Sequence, residues 1–428
     1  MHQPHRFLRL TILLTVTINL VAAATAEIGD PLPGLKPLEA QHFTNGEVQF
    51  LRVWSGKEGL GPVFMDAACV RCHNVPVTGG SSTRVWTMFG RLNQDGTFDP
   101  LDGTGTYPNE GGILSQPRSL QKILPNCSQG GEKIPPDANV VERRISPPTF
   151  GYGLIDAIRD TDLESREQFE RTHYQADGIR GIAPVVTTYY PAARNVIGRF
   201  GQKSQFANLV EITAYAFANA LGITNPMFPD EDLPQGQPID PNCTLNTEVP
   251  NNNNQGSNGA GIFPLSHFMR FLAPATPLDC SSAGCVHGQQ LFTTVGCDKC
   301  HMPSYTTPPN ARIPLDMAGH SAPSPALSNV PVMLYSDLLL HDLGQADKGG
   351  IPENTVVTGD ARVTQWRTAP LWGLQYRTHF MHDGVASLDE AILKHSDGVT
   401  GEAISVINNY KALSPEDQQD LWDFLATR

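Results

Sequence analysis

The chain has 428 residues, a formal net charge of −13 and 8 cysteines. This length allows two or three domains, and the excess of acidic residues argues against nucleic acid and anionic membranes as partners. The 35 prolines and 39 glycines favour long ordered loops over extended regular sheets.

The N-terminus has the pattern of a secretory signal. Basic residues precede an apolar run over 10–24, which leads into Ala24-Thr25-Ala26. A basic start, a short apolar core and a small-residue ending predict cleavage after Ala26, and the run is short for a membrane-spanning helix. We therefore expect a mature periplasmic protein without stable membrane insertion.

Two Cys-x-x-Cys-His pentads are the strongest motifs of the chain. They supply Cys69, Cys72, His73, Cys297, Cys300 and His301. This is the attachment signature of c-type haem, in which two thiols bond the porphyrin and the histidine becomes the proximal iron ligand. Redox disulfides or half of a zinc site are the alternatives, but two complete pentads disfavour them. We predict two covalently attached c-type haems, with His73 and His301 as proximal ligands.

Short elements are predicted between the two pentads. A short helix over 61–68 is expected to carry the first pentad, and the alternating segment 83–91 with the turn residues that follow predicts a β-hairpin. Helical periodicity marks 154–160 and 205–221. A polar stretch over 251–259 is the best candidate for a domain boundary.

The last third of the chain has the plan of a small cytochrome c domain. An amphipathic segment over 288–295 leads into the second pentad, Ser387 can cap a helix over 388–395, and Ser414 with Pro415 begins a final helix. The predicted fold class is therefore mainly α, with two cytochrome c-like haem domains, the first elaborated by long loops and short β-hairpins. The expected divisions are a signal peptide over 1–26, a first haem domain over 27–255 and a second haem domain over 256–428.

Four cysteines lie outside the pentads. They are Cys127, Cys243, Cys280 and Cys285. An even remainder in an oxidising compartment predicts disulfides. Cys280 and Cys285 are close enough in sequence to close a small loop, which would pair Cys127 with Cys243, although three pairings are formally possible.

Several segments follow a known family pattern. They are 336–344 (SDLLLHDLG), 366–374 (WRTAPLWGL), 381–384 (MHDG), 388–392 (LDEAI), 151–158 (GYGLIDAI), 177–179 (DGI) and 198–203 (GRFGQK). In these segments the chain resembles the bacterial di-haem oxidoreductases, also described as di-haem peroxidases or thiol oxidoreductase-like proteins. That family lies within the di-haem cytochrome c peroxidase superfamily.

The resemblance implies ligands for the second iron. His301 is the proximal ligand, and aligning 388–391 with the family's ligand-bearing helix places His395 at the sixth position, where the peroxidases have methionine and a related branch has tyrosine. Imidazole ligation would lower the reduction potential relative to a thioether; the alternative is that His395 is a surface helix residue. His382 is expected near the haem without binding iron. His341 is expected to bind the iron, to line a haem pocket or to anchor its loop.

The first haem departs from the peroxidases. They place a histidine shortly after the first pentad, whereas no histidine occurs between His73 and His173. Met88 has nearly the required spacing, but an apolar strand position is expected for it. An open or water-filled sixth site would admit peroxide or another small oxidant. Calcium between the haems is possible but unsupported, because Arg377 and His379 replace the threonine and proline expected there.

Peroxide reduction also needs a group that moves a proton between the two oxygens. The candidate catalytic residues are Asp156, Arg143, Arg144 and Lys203. For each of them, a surface salt bridge or a structural hydrogen bond is the alternative role. Trp366 and Trp372 are expected either in the core or between the haems.

We therefore predict a periplasmic di-haem oxidoreductase that reduces hydrogen peroxide at the first haem. The second haem would relay electrons from a small donor protein such as a cytochrome. The alternatives are a di-haem electron-transfer cytochrome without catalysis, and an oxidase or oxygenase of an organic or protein substrate.

Overall fold

A computed structural model describes most of the chain after the predicted signal. The described residues are 26–95, 98–99, 101, 113–136, 138–190, 192–231, 238–243, 261–344, 364–396 and 398–428. The apolar N-terminal run and the polar stretch over 251–259, with the domain boundary expected in it, lie outside them. Within the described part of the chain, no helix is long and apolar enough to cross a membrane.

Helices joined by long loops form most of the regular structure. The α-helices are α1 (Pro37–Leu51), α2 (Tyr152–Ala157), α3 (Asp160–His173), α4 (Leu209–Leu221), α5 (Ile262–Phe271), α6 (Ala283–Val295), α7 (Leu388–Leu393), α8 (Ile404–Lys411) and α9 (Pro415–Leu425). A single 3₁₀ turn begins at the first cysteine of each pentad, at Cys69–Arg71 and Cys297–Lys299, and the second cysteine follows directly after it.

The strands are short and antiparallel. They are β1 (Val63–Phe64), β2 (Val85–Leu92), β3 (Phe98–Asp99), β4 (Ile113–Leu114), β5 (Arg118–Ser119), β6 (Val140–Ile145), β7 (Val185–Tyr189), β8 (Ala192–Ile197), β9 (Tyr305–Thr306), β10 (Arg312–Pro314), β11 (Ser321–Pro323), β12 (Pro331–Val332), β13 (Leu340–Asp342) and β14 (Gln365–Arg367). Strand β2 pairs with β3, β4 and β6, and the other strands form two-stranded sheets. The predicted helical fold with short hairpins is confirmed, while the division into two cytochrome c-like domains stays a prediction.

Side-chain caps set several helix ends as the sequence predicted. Ser414 accepts a hydrogen bond from the Asp417 amide at 3.1 Å at the start of α9, and Ser387 begins α7 with a capping box. Helix α7 ends at Leu393, so His395 lies in the turn after it and not within a helix over 388–395. These caps satisfy amides that have no partner within their own helix.

The predicted helix over 61–68 is wrong. The segment contains strand β1, and its backbone bonds the end of helix α4, with the Gly61 amide donating to the Leu221 carbonyl at 3.0 Å and the Met65 amide to the Ala220 carbonyl at 2.9 Å. A Cβ at position 61 would lie 2.1 Å from the Gly222 carbonyl oxygen. Tertiary backbone contacts therefore override the local helical pattern.

Two close helix pairs support the pentads. In the first pair, a Cβ at Gly46 of α1 would lie 2.1 Å from the Pro264 carbonyl oxygen of α5, and Phe50 packs on Phe268 with ring centres 4.9 Å apart. In the second pair, α6 packs on α9 and leads directly into the second pentad. Phe292 of α6 lies 5.3 Å from Phe424 of α9.

Two disulfides tie the loops. Cys127 pairs with Cys243 across a sequence separation of 116 residues, and Cys280 pairs with Cys285 just before α6. This is the pairing that the short spacing between Cys280 and Cys285 favoured. The four cysteines of the pentads are not in disulfides.

Candidate haem sites

The second pentad opens onto a cavity of about 260 Å³, which we call the second cavity after this pentad. Helix α6 ends at Val295, and Gly296 follows with φ +100°, a left-handed conformation that turns the chain into the pentad. The His301 amide donates to the Cys297 carbonyl at 2.9 Å. This one-turn geometry places Cys297, Cys300 and His301 together on the cavity wall.

His395 lies across this cavity from His301. The two ring centres are 6.3 Å apart and the ring planes are inclined by 65°. His301 donates from Nδ1 to the Tyr335 carbonyl at 2.9 Å, and His395 donates from Nδ1 to the Ala391 carbonyl at 2.7 Å. In each ring Nε2 is therefore the nitrogen left for a metal ion.

Burial keeps both histidines neutral, which is the form that binds metal. It lowers the pKa of His301 to about 4, and it also lowers the pKa of His395 below its ordinary value. The rest of the cavity wall is mainly apolar and includes Phe292, Leu371, Leu374, Phe380, Ile392 and Val406. These residues fit a flat apolar group with a metal at its centre.

The first pentad has a different environment. The His73 amide donates to the Cys69 carbonyl at 3.1 Å, and the loop after it closes when the Gly79 amide donates to the His73 carbonyl at 2.9 Å. The His73 ring packs edge-on against Phe50 with ring centres 6.0 Å apart. Burial lowers the pKa of His73 to about 4. In the described part of the chain, no second histidine ring packs against His73.

Met88 is a core residue of the sheet around β2. It is 3% exposed and packs with Val140 and Trp86. The expectation of an apolar strand position is therefore confirmed. Nearby, a cavity of about 370 Å³ borders Cys72 and is lined in part by Arg84 and Trp86.

The candidate Asp156 has structural partners. It forms an ion pair with the buried Arg270, and its second oxygen accepts a hydrogen bond from the Leu209 amide at 2.9 Å at the start of α4. It lines neither of the two cavities described above. Arg143 is on the exposed face of β6, where the burial pattern alternates.

Arg144 and Lys203 converge on Trp366. The Lys203 Nζ atom lies 3.6 Å from the Trp366 ring centre, and the Arg144 guanidinium carbon lies 4.6 Å from the Trp366 indole. His382 stacks on the same tryptophan at 3.9 Å. Lys203 also donates to the Gln365 carbonyl at 2.5 Å. Trp366 and His382 line the second cavity, so the two buried cations lie directly behind its wall.

His341 is held by carboxylates. It donates from Nδ1 to Glu402 at 2.7 Å and from Nε2 to Asp337 at 3.0 Å, and a Glu170 oxygen lies 3.8 Å from Nε2. Burial lowers the pKa of His341, but Cys300 and Asp337 raise it well above its ordinary value. With both ring nitrogens engaged, His341 anchors its loop and is not placed to bind iron.

Sequence reasoning missed the two glutamates. Glu170 belongs to the largely polar helix α3 and is fully buried, and Glu402 comes from the loop before α8. The Cys300 sulfur lies 3.7 Å from His341 Nδ1, so this acidic cluster borders the second pentad. In the sequence, the only signal for this cluster is His341 itself, because a buried histidine needs hydrogen-bond partners.

A cavity between two neutral histidines, bordered by a cysteine pair and apolar side chains, defines a haem-binding class of protein. The family described as "Di-haem oxidoreductase, putative peroxidase" matches residues 132–427. The chain therefore belongs to this family of di-haem oxidoreductases. The matched residues include the second pentad, and the first pentad precedes them.

Two solved structures are distantly similar to the chain. Hydrazine synthase of Kuenenia stuttgartiensis, pressurised with xenon, has 12% sequence identity and a TM-score of 0.40, with 98% of this chain and 100% of that chain covered. A MauG-like protein associated with microbial copper homeostasis has 14% identity and a TM-score of 0.35, with 96% and 95% covered. No curated protein matches the sequence.

Proposed function

We propose that the protein is a periplasmic peroxide reductase with one reactive haem and one relay haem. Hydrogen peroxide would accept two electrons and two protons to give two water molecules. When bound, the haems would supply the redox-active iron. His73 would hold the reactive centre, and His301 with His395 would hold the relay centre.

One observation carries the proposal, namely the separation of the His301 and His395 rings. Two metal–nitrogen bonds of about 2 Å each, together with the inner parts of two imidazole rings, require ring centres roughly 6 Å apart. The observed separation is 6.3 Å. The hydrogen bonds from Nδ1 to backbone carbonyls fix both ring orientations and increase the basicity of Nε2. A centre with two histidine ligands is saturated, which suits electron transfer.

The surroundings of His73 support the reactive role. Among the described residues no histidine stands opposite this ring, and Met88 is occupied in the core. A proximal histidine without a matching distal ligand leaves room for a small oxidant. The two cysteines and His73 would then hold the group, and substrate would approach from the other face.

The candidate catalytic residues divide by their contacts. We assign Asp156 to holding Arg270 and the start of α4. Lys203 would bring positive charge against Trp366 beside the second cavity, where it would favour the reduced state of the relay centre. Arg144 also lies against Trp366, but its charge is paired with Glu142. Positive charge near a redox centre lowers the energy of its reduced form.

The expected compartment and partner follow from surface and cysteine chemistry. Disulfides persist in oxidising compartments, and the pairs Cys127–Cys243 and Cys280–Cys285 support export, as does the signal-like N-terminus. The net charge of −13 would favour an electron donor with a basic docking surface, such as a small cytochrome.

Electron paramagnetic resonance of the oxidised and half-reduced protein tests the proposal. We expect one high-spin and one low-spin haem, and we expect His395→Ala to convert the low-spin signal to high-spin. His287→Ala is the control, because His287 is an exposed residue bonded to Asp420. Two six-coordinate low-spin haems in both oxidation states, with no response to peroxide, would instead indicate an electron-transfer cytochrome.

A further inference from the structure

Two partly buried arginines line the second cavity, and among the described residues neither has an acidic partner. Arg367 and Arg377 both contribute to its wall. In the part of the chain that the structure describes, neither forms an ion pair with an aspartate or glutamate. Other arginines near this region do have such partners, Arg166 with Glu170 and Arg144 with Glu142.

Arg377 has few hydrogen bonds for a partly buried guanidinium. Nη2 donates to the His379 carbonyl at a long 3.4 Å, and Nε is buried with no hydrogen-bond partner. Burial lowers the pKa of Arg377 to about 10. An arginine offers five donors in a planar fork, and a buried donor without a hydrogen bond is unfavourable. The buried Nε atom at the cavity wall therefore favours an anion at this place.

Arg367 lines the same cavity. Nε donates to the Gly201 carbonyl at 2.9 Å and Nη1 donates to the Thr368 carbonyl at 3.3 Å, so among the described residues its acceptors are neutral backbone carbonyls. Burial also lowers its pKa.

We propose that Arg367 and Arg377 form a carboxylate-binding site that holds the propionate groups of the haem in the second cavity. The inference rests on the proposed function, which places a haem between His301 and His395. A propionate is a carboxylate, which arginine binds with two parallel hydrogen bonds.

The two guanidiniums supply positive charge at the wall of the second cavity. This charge would not depend on a metal ion.

A potentiometric titration of the haem-loaded protein tests the inference. We expect the midpoint potential of the low-spin haem to fall in Arg377→Gln, because removing a nearby cation disfavours the reduced state. Arg377→Lys keeps the charge and should lie closer to wild type. Arg312→Gln is the matched control, since Arg312 is exposed and bonded to Ser321. If Arg377→Gln does not load haem, Arg367→Gln provides the same measurement.

A free anion is the other source of a carboxylate, and the titration distinguishes the two. Wild-type protein is titrated with acetate at constant ionic strength. A potential that is insensitive to acetate and falls in Arg377→Gln supports a propionate. An acetate-dependent wild-type potential that loses this dependence in the variant overturns the inference in favour of a free carboxylate, and unchanged potentials in both glutamine variants also overturn it. Haem content and spin state, measured on the same samples, report separately on the proposed function.

Discussion

Replacing Glu170 by glutamine should remove much of the pH dependence of stability near neutrality. Glu170 is fully buried and accepts hydrogen bonds from Arg166 Nε and from the Gly181 amide, each at 2.8 Å. Burial first, and then the charge of Asp337, raise the pKa of Glu170 to about 7, while His341 and Arg166 act in the opposite direction. The carboxyl is therefore neutral in the folded protein at mildly acidic pH.

The groups around Glu170 account for this protonation. Arg166 and His341 bring two positive charges, and Asp337 and Glu402 bring two negative charges. An ionised Glu170 would add a net negative charge to a buried cluster. Beyond this cluster, Lys299 and Asp177 neutralise each other in an ion pair at 2.7 Å.

The magnitude follows from the difference between the folded and unfolded pKa. A rise from 4.5 to about 7 corresponds to roughly 3 kcal/mol of folding free energy. Because the folded pKa is the higher one, this stabilisation is complete below the unfolded pKa and is lost as the pH rises through about 7. Roughly 2 kcal/mol of the loss falls between pH 5.5 and 7. Because the pKa of His341 is raised on folding, this residue also makes stability fall with rising pH, but only above 6.5, its ordinary pKa.

Guanidinium chloride unfolding at pH 5.5, 6.3 and 7 measures the effect. Wild type should lose stability over this range, whereas Glu170→Gln should match wild type at pH 5.5 and lose much less by pH 7. Glu167→Gln is the control on the same helix, because Glu167 is partly exposed and pairs with Arg171. A wild-type stability that stays flat over this range, or an equal slope in Glu170→Gln, would refute the reasoning.

Three further substitutions test the packing and the partners. Gly288→Ala should destabilise the protein by about 1–3 kcal/mol in thermal unfolding, because its Cβ would lie 1.8 Å from the Asp420 carbonyl oxygen. Gly284→Ala is the control and should be neutral, because the new Cβ would meet the ends of the Asp420 and Asp423 side chains and no backbone. Replacing Cys127 and Cys243 by serine should cost about 2–5 kcal/mol; an unfolding midpoint equal to that of wild type would contradict the structural role of this disulfide. Asp156→Asn should lower the free energy of unfolding by about 3–5 kcal/mol, because it leaves buried Arg270 without its counter-charge. Peroxide consumption per folded molecule should not change. Loss of this activity at wild-type stability would instead make Asp156 catalytic.

The sequence predicts those parts of the fold that depend on local patterns. Ser414 and Ser387 mark helix starts that the structure contains, and the hairpin after position 83 is strand β2 with β3. The prediction fails at 61–68, where the backbone bonds a distant helix end, and α1 (Pro37–Leu51) was missed because its buried face is small and interrupted. Contacts between distant segments decide both cases.

The same division holds for the candidate sites. The pentads are visible as spacing within short segments, and His395 follows from the family resemblance over 388–391. The partners of His341 are not, because Glu170 and Glu402 come from segments far apart in the chain and no pattern links them. Arg377 was noted in the sequence only as a departure from a calcium site. That Arg377 has no acidic partner among the described residues can be seen only in the folded structure.

One small sheet carries residues of three side-chain groups around the second cavity: the His341 cluster, the cations packed on Trp366, and the arginine pair. Strand β13 carries His341, and strand β14 carries Trp366 and Arg367, with His341 opposite Trp366 in the register. Backbone hydrogen bonds hold this sheet in place, including mutual bonds between Ile182 and Leu340 at 2.9 Å. Because the shared support is backbone and the three groups use separate side chains, single substitutions should act independently. Glu170→Gln should change the pH dependence without the haem potential shift expected for Arg377→Gln, and a combined variant should show both effects additively.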